Sequence, residues 1–195
     1  GILLGVNDVQ RIWRMIDADI ATATQSLPAT ARSARVYFEV NNGPYAASEV
    51  SFIGETLTRL GVQNIVPASL GPFPKLNPEF VVRANPDLIM VGDYNYIGME
   101  QRPGWSGMRA LRDKRVCLFN RDETDMLARP GPRMADGARL MARCIADKDD
   151  GTARLVVLAP WVYVRLRKDD YADAELAGWV GRLRALGAAT AWVFF

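Results

Sequence analysis

The stretch NPEFVVRANPDLIMVG, residues 77–92, places a short helix directly before a buried strand. Asn77 is a residue type that caps helix N-termini, and Pro78 suits the first helical position, where a missing N–H costs nothing. The run DLIMVG (87–92) is apolar after its first residue, as in strands that are covered on both faces. A helix that leads straight into such a strand predicts half of a βαβ unit and therefore a parallel sheet.

The same alternation of strands and helices continues on both sides of this stretch. RVYFEV (35–40) and RVCLF (115–119) have the β-branched and aromatic residues of strands. Residues 48–61 begin with a serine cap at Ser48 and end at Gly61, and residues 131–147 form a helix of about four turns. The pattern predicts an α/β fold: a three-layer, Rossmann-like, mostly parallel sheet with helices on both faces.

A long helix is predicted before the first strand. Residues 7–27 open with Asn7 as a cap and run to Pro28, and apolar residues recur at helical spacing at Val9, Ile12, Trp13, Ile16 and Ile20. We expect three segments: the long helix in 1–34, the α/β unit in 35–146, and, after the acidic linker DKDDGT, a strand–helix–strand extension in 153–195 that completes the same sheet.

Composition excludes several classes of function. The chain has 195 residues, a formal net charge of +2 and no histidine. The charge is too small for a nucleic-acid partner, and no apolar stretch of about 18 residues predicts a membrane span. The stretch GILLGV is too short for a signal peptide. Without histidine the usual Ser-His-Asp and Cys-His arrangements are ruled out, and we expect no enzyme, no metal site and no cofactor.

Two features of the sequence allow two readings each. Cys117 and Cys144 lack the spacing of metal ligands; they are either buried small hydrophobic residues, the reading we favour, or a disulfide. The aromatic residues in or beside a long glycine-containing loop form either a stacking wall for a flat ligand or an anchor for the loop itself. These aromatic residues are Tyr94, Tyr96 and Trp105.

The order of motifs resembles a known family. Residues 7–146 resemble the interlobe helix and C-terminal lobe of class III periplasmic substrate-binding proteins of ABC importers, which carry vitamin B12, haem and ferric siderophores. The motifs that carry the resemblance are GPYAASEVSFIGETLTRLGVQNIV (43–66), PFPKLNPEFVVRANPDLIMVG (72–92) and RPGPRMADGARLMA (129–142). Within the group, the vitamin B12 binders are the most similar.

The resemblance implies a role for five residues. Tyr45 and Phe73 match aromatic residues that pack on the ligand, and Asp125 and Arg129 match a polar pair near the ligand's side chains. Glu79 matches the exposed acidic residue that docks into an arginine pocket on the membrane permease. With Trp105 from the aromatic loop, these residues form the predicted ligand-binding and docking set. The implied ligand is a corrinoid such as cobalamin, haem or a siderophore, and the implied location is the periplasm, or the cytoplasm if the chain is expressed as it stands.

Two departures from the family pattern are visible. Glu39 stands where some vitamin B12 binders have an aromatic residue, which favours haem or a siderophore over a corrinoid. The resemblance also covers only one of the two lobes that close on the ligand, so the chain presents half of a site with weak or no binding.

The end of the chain resembles a different family. Residues 162–186, VYVRLRKDDYADAELAGWVGRLRAL, and the strand AWVFF after them are similar to a late strand, helix and strand of a TIM-barrel family of unknown function. The chain would then be a chimera of two parents. Besides a ligand-binding lobe, this allows a fold chimera without activity, or a barrel-derived enzyme with a phosphate-type site at Arg165, Arg167 and Tyr171. An exposed edge at AWVFF would also invite dimerisation.

Overall fold

The computed structural model of the chain describes residues 9–129, 131, 133–149, 156–157, 161–165, 172, 176–181 and 190–194. Its helices are α1 Val9–Gln25, α2 Phe52–Arg59, α3 Pro78–Ala84, α4 Asp93–Tyr96, α5 Arg109–Arg112, α6 Arg121–Ala128 and α7 Met134–Asp149, and residues 176–181 are also helical. Its strands are β1 Arg35–Asn41, β2 Tyr45–Ala46, β3 Gln63–Asn64, β4 Leu88–Gly92, β5 Val116–Phe119, β6 Val156–Val157, β7 Trp161–Arg165 and β8 Thr190–Phe194.

A five-stranded sheet forms the centre of the protein. Its order is β2-β1-β4-β5, and β3 also pairs with β1. The strands β1, β3, β4 and β5 are parallel, whereas the short strand β2 runs antiparallel to the end of β1. The chain therefore builds β3 on one side of β1 and then crosses to the other side for β4, as in doubly wound α/β folds.

The two faces of this sheet are covered by different helices. Alternate residues of β1 point to opposite faces: Val36 and Phe38 join a core cluster with α1, α2 and α7, while Tyr37 joins a second cluster with α3, α5 and Trp105. Every residue of β4 is buried. The predicted three-layer α/β architecture with a mostly parallel sheet is confirmed.

The long helix α1 is present but is only partly buried. Ile16 and Ile20 pack against Ala135 and Ala138 of α7. Ile12 and Trp13, which share the predicted apolar face, are 40% and 51% exposed. They lie in the first turns of α1, before the residues that contact α7.

The end of the chain forms a sheet of its own. Strand β7 pairs antiparallel with β6 and parallel with β8, and this three-stranded sheet shares no strand with the first. For the strands that the structure describes, the expectation that residues 153–195 complete the same sheet is therefore wrong. The local pattern identifies strands, but the strand with which each pairs depends on long-range contacts.

The two cysteines form a disulfide. Cys117 lies on β5 and Cys144 on α7, with their Cα atoms 6.0 Å apart, within the range that a disulfide requires. Our favoured reading of two separate buried thiols is wrong, and the alternative is correct. The two residues are 27 positions apart, so their pairing follows from the packing of α7 on the sheet.

Candidate functional site

The candidate site lies at the carboxyl ends of the parallel strands. In a doubly wound sheet a crevice opens there, between the two strands from which the chain departs in opposite directions. In this protein those strands are β1 and β4. The segments at this edge are the turn after β1, the loop 93–108 after β4, and α6 after β5.

The proline-rich segment 71–77 is paired with β2 at this edge. Its carbonyl groups accept hydrogen bonds from β2 and the residues beside it: Ala46 N donates to Pro74 O and Ser48 N to Pro72 O, both at 3.0 Å. The pairing brings the segments that carry Tyr45 and Phe73 side by side. Tyr45 is 39% exposed and Phe73 is 41% exposed. Both rings therefore present accessible surface on a backbone that is hydrogen-bonded.

The two aromatic side chains have different neighbours. Phe73 packs edge-on against Phe52 of α2, with ring centroids 5.8 Å apart. Tyr45 forms an antiparallel bridge with Lys75, whose Nζ lies 5.8 Å from the centre of the tyrosine ring. Sequence reasoning did not identify Lys75, because its proximity to Tyr45 depends on the pairing of the two segments.

The corner of the chain between β2 and α2, residues 47–51, is fixed by hydrogen bonds. Ser51 caps α2 by accepting a hydrogen bond from Gly54 N, and its own hydroxyl donates to Ser48 O at 2.7 Å. The sequence predicted Ser48 as the cap of this helix, but the capping residue is Ser51. A side chain at Gly54 would overlap the carbonyl oxygen of Ser48, so this glycine permits the close approach of the corner to α2.

Asp125 and Arg129 lie at the end of α6 and just after it. Both are exposed, and they are one helical turn apart. Within the described part of the chain, neither side chain forms an ion pair or a hydrogen bond. Helix α6 is fixed at its start by a capping box between Asn120 and Glu123. Both charges are thus exposed, on or directly after a helix that starts at this edge.

The separation between the aromatic pair Tyr45 and Phe73 and the charged pair Asp125 and Arg129 sets a minimum size for the ligand. Tyr45 lies on β2 and Asp125 on the helix that follows β5, and β1 and β4 lie between these two strands. Neighbouring strands are spaced by about 4.8 Å, so a ligand that touches both groups spans three such spacings, about 14 Å.

Glu79 is exposed in the first turn of α3. Asn77 caps the helix by accepting a hydrogen bond from Glu79 N at 2.9 Å, and Pro78 occupies the first helical position, as predicted. The negative charge of Glu79 is favourable at a helix N-terminus. Its carboxylate forms no ion pair with the residues that the structure describes.

Trp105 lies inside the protein. It is 0% exposed and belongs to the second core cluster, where it contacts the edge of Tyr37 at a centroid distance of 6.0 Å. A stacking wall requires an exposed ring face, so the expectation that Trp105 contacts a ligand is wrong in this structure. Of the other loop aromatics, Tyr94 is 80% exposed, while Tyr96 is half-buried and donates a hydrogen bond to Glu100.

A buried charged network fixes the loop 93–108 onto β1. Arg102 donates from Nη1 and Nη2 to the two carboxylate oxygens of Glu39, at 2.7 and 2.8 Å, and Tyr37 Oη donates to the same carboxylate at 2.9 Å. The guanidinium group also lies 4.4 Å from the centre of the Trp105 ring and bonds Asn42 Oδ1. Glu39 is 0% exposed, so it holds Arg102 and does not face a ligand.

The network shifts the pKa values of Tyr37 and Arg102. Burial, followed by the nearby charge of Glu39, raises the pKa of Tyr37 well above its ordinary value. The hydrogen bonds to Glu39 raise the pKa of Arg102 further. Tyr37 therefore stays neutral and Arg102 stays charged around pH 7, which keeps the carboxylate of Glu39 paired.

The described residues also form a cavity apart from this site. It has a volume of about 260 Å³ and lies between β5 and α7 beside the disulfide, and none of the predicted site residues lines it. The described part of the chain contains no group of three or more His, Cys, Asp or Glu side chains placed to hold a metal. None of its helices has the length and apolar character needed to cross a bilayer. Of the residues of the barrel-type phosphate site, Arg167 and Tyr171 lie outside the described residues, as does the side chain of Arg165.

Solved structures with a similar fold are periplasmic binding proteins. A possible iron-binding (periplasmic solute-binding) protein from Staphylococcus epidermidis is 21% identical, with a TM-score of 0.61 over 70% of this chain and 54% of that one. The haem-binding protein RhuT from Roseiflexus is 22% identical (TM-score 0.59, 76% and 59%). The vitamin B12 binding protein BtuF of Vibrio cholerae is 19% identical (TM-score 0.58, 70% and 52%). The chain spans between half and three fifths of the length of these structures.

Comparison with known families identifies the class of protein. No curated protein matches the chain. A family model described as "Periplasmic binding protein" matches residues 7–122, which include the long helix, β1 to β5 and the proline-rich segment. Because this match covers more than half of the 195 residues, the chain belongs to the periplasmic binding protein family.

Proposed function

We propose that this chain acts as a ligand-binding lobe of the substrate-binding protein of an ABC importer, in the periplasm, for a corrinoid, haem or siderophore. The observation that carries the proposal is the pairing of β2 with the proline-rich segment. It places two exposed aromatic rings, Tyr45 and Phe73, on hydrogen-bonded backbone at the carboxyl edge of the sheet. Large flat ligands bind to rigid aromatic surfaces with a few polar anchors, and Asp125 and Arg129 supply such anchors.

The role needs no catalytic group. Its work is recognition and release, and the residues at this edge supply stacking surface and charge. Because only one lobe is matched, we expect weak affinity. Each lobe of a two-lobed protein contributes only part of the contact area, while the cost of immobilising the ligand is the same for one lobe as for two.

Titration of the purified chain with cyanocobalamin and with haemin, followed by absorbance and calorimetry, tests the proposal. We expect binding of at least one of them below about 1 mM, where the binding free energy is roughly 4 kcal/mol. Tyr45→Ala and Phe73→Ala should each weaken it about 10-fold through loss of stacking. Trp13→Ala, which removes an exposed aromatic ring on α1, is the matched control. Absence of binding by both compounds and by a ferric siderophore such as ferrichrome would overturn the proposal.

The proposal includes a docking role for Glu79. A carboxylate displayed on a capped helix start loses little entropy when it meets an arginine pocket on a permease. Association with the permease of the same importer in lipid nanodiscs should weaken with Glu79→Lys. The same charge reversal at Glu55, which is exposed on α2, should leave it unchanged.

A second candidate is a chimeric chain without binding activity. It is favoured by the separate sheet of β6, β7 and β8, which lies beyond the residues that the family model matches. Unfolding of the chain in urea, followed by circular dichroism and by tryptophan fluorescence, distinguishes the candidates. Two separate transitions, neither moved by cyanocobalamin or haemin, would favour joined fragments; a transition shifted upward by either compound would favour the binding lobe.

A further inference from the structure

We infer that Lys75 makes the candidate site selective for flat ligands that carry an anionic substituent. The inference rests on the proposed function and adds to it the charge of the ligand. Lys75 is exposed, and its Nζ lies 5.8 Å from the centre of the Tyr45 ring. Among the described residues, no carboxylate forms an ion pair with it.

The position of Lys75 is fixed by the backbone around it. The adjacent residue Leu76 is buried, and its N–H donates to Pro44 O at 3.0 Å. On the other side, Pro74 O accepts from Ala46 N. The bridge between Lys75 and Tyr45 thus lies between two hydrogen bonds, and the ammonium group starts from a defined point beside the ring. Little backbone freedom remains to be lost when this lysine meets a ligand.

The ammonium group and a stacking ligand compete for the same ring. An exposed cation–π contact is weak, while a hydrogen bond between an ammonium group and a carboxylate is charge-assisted and stronger. An uncharged ligand that covers this face of Tyr45 displaces the ammonium group and offers it no replacement contact. A ligand with a carboxylate at its rim replaces the lost contact with a better one.

The other charges at the site do not cancel this preference. Asp125 and Arg129 carry opposite charges and lie together beyond β5. Their sum is zero, and Lys75 is the cation that lies against the Tyr45 ring. The ligand face therefore favours a flat molecule with its negative groups toward β2.

Haemin and haemin dimethyl ester provide a matched pair of probes, because they share one ring system and differ in their two carboxylates. We expect wild-type protein to bind haemin about 10-fold more tightly than the diester, a difference typical of one charge-assisted contact. Lys75→Gln should lower the affinity for haemin to that for the diester and leave the diester affinity unchanged or slightly higher. Lys75→Arg, which keeps the charge, should keep the preference.

Arg83→Gln is the control for net charge, since Arg83 is exposed in the last turn of α3, at its far end from the proline-rich segment. It should retain the preference for haemin. Equal binding of the two probes by wild-type protein, or an equal loss for both in Lys75→Gln, would overturn the inference while leaving the binding function intact. If wild-type protein binds neither haem probe, nor cyanocobalamin, nor a ferric siderophore such as ferrichrome, the proposed function fails and the inference fails with it.

Discussion

Arg102 and Glu39 are 63 residues apart in the sequence and form a bidentate ion pair beside Tyr37 and Trp105 of the second core cluster, with N–O distances of 2.7 and 2.8 Å. The side chain of Glu39 is 0% exposed and that of Arg102 is 16% exposed. Glu39 belongs to β1 and Arg102 to the loop after β4, so the pair fixes that loop to β1. The backbone of this part of the candidate site is held by charge as well as by apolar packing.

Removal of one partner should destabilise the protein strongly. Arg102→Met leaves the carboxylate of Glu39 buried without its cation, and we expect the free energy of unfolding to fall by about 3–5 kcal/mol. Combining it with Glu39→Gln should recover much of the loss, because an amide oxygen still accepts the hydrogen bond from Tyr37 and carries no charge. Urea denaturation of the single and double variants measures both effects.

An exposed ion pair supplies the control for this prediction. Arg59 and Asp17 form one with side chains that are 38% and 57% exposed, and Arg59→Met should cost less than about 1 kcal/mol. If Arg102→Met costs no more than Arg59→Met, the buried pair does not hold the loop.

The fold was predictable where local patterns decide it. Continuous apolar runs and helix caps located β1, β4, β5 and α3, and these patterns imply a parallel sheet without knowledge of any contact. The separate sheet of β7 and β8 was not predictable in this way, because the sequence of a strand does not determine which other strand it pairs with. The sequence could not decide between two thiols and a disulfide for the same reason, because the two cysteines meet only if α7 packs at the right place on the sheet.

The candidate site was predictable only in part. Tyr45, Phe73 and Glu79 are exposed, and their roles stay predictions. Trp105 was placed in a ligand wall because its loop contains glycine, but the ring fills the core beneath that loop. The role of Arg102 could have been suspected from Glu39, since an acidic residue inside an apolar strand requires a buried partner.

Gly54 should not tolerate a side chain. A Cβ atom there would overlap the backbone of Ser48, which cannot move without disturbing the hydrogen bonds of the corner before α2. We expect Gly54→Ala to lower the free energy of unfolding by about 3 kcal/mol, despite the higher helix propensity of alanine. Gly107→Ala, where no atom lies within 4 Å of the added Cβ, should change stability by less than about 1 kcal/mol. Equal thermal shifts in the two variants would contradict the close contact.

The disulfide should contribute measurably to stability. It closes a loop between residues 27 positions apart, for which the loss of chain entropy in the unfolded state corresponds to roughly 3.5 kcal/mol. Reduction with dithiothreitol, or the double variant Cys117→Ala with Cys144→Ala, should lower the free energy of unfolding measured by urea denaturation by a similar amount. Dithiothreitol should have no effect on the double variant, and a shift there would indicate that the reductant acts elsewhere.

Stability should fall in alkaline solution because two tyrosines ionise later in the folded protein than in the unfolded chain. Burial, followed by the hydrogen bond to Glu100, raises the pKa of Tyr96 to about 12. Burial and Glu39 raise that of Tyr37 well above its ordinary value. Above pH 10 the unfolded chain releases protons that the folded protein keeps, so its free energy of unfolding decreases as the pH rises toward 12.

The Phe variants separate the two contributions. Tyr96→Phe removes one of the protons released on unfolding, so stability should depend less on pH between 10 and 12, and the tyrosinate absorbance of the folded protein should lose its step near pH 12. Tyr37→Phe should reduce the pH dependence too, but it also removes a hydrogen bond to Glu39 and lowers stability at pH 7, where Tyr96→Phe costs less because Tyr96 is half-buried. An unchanged alkaline slope in Tyr96→Phe would mean that this phenol is as free to ionise in the folded protein as in the unfolded chain.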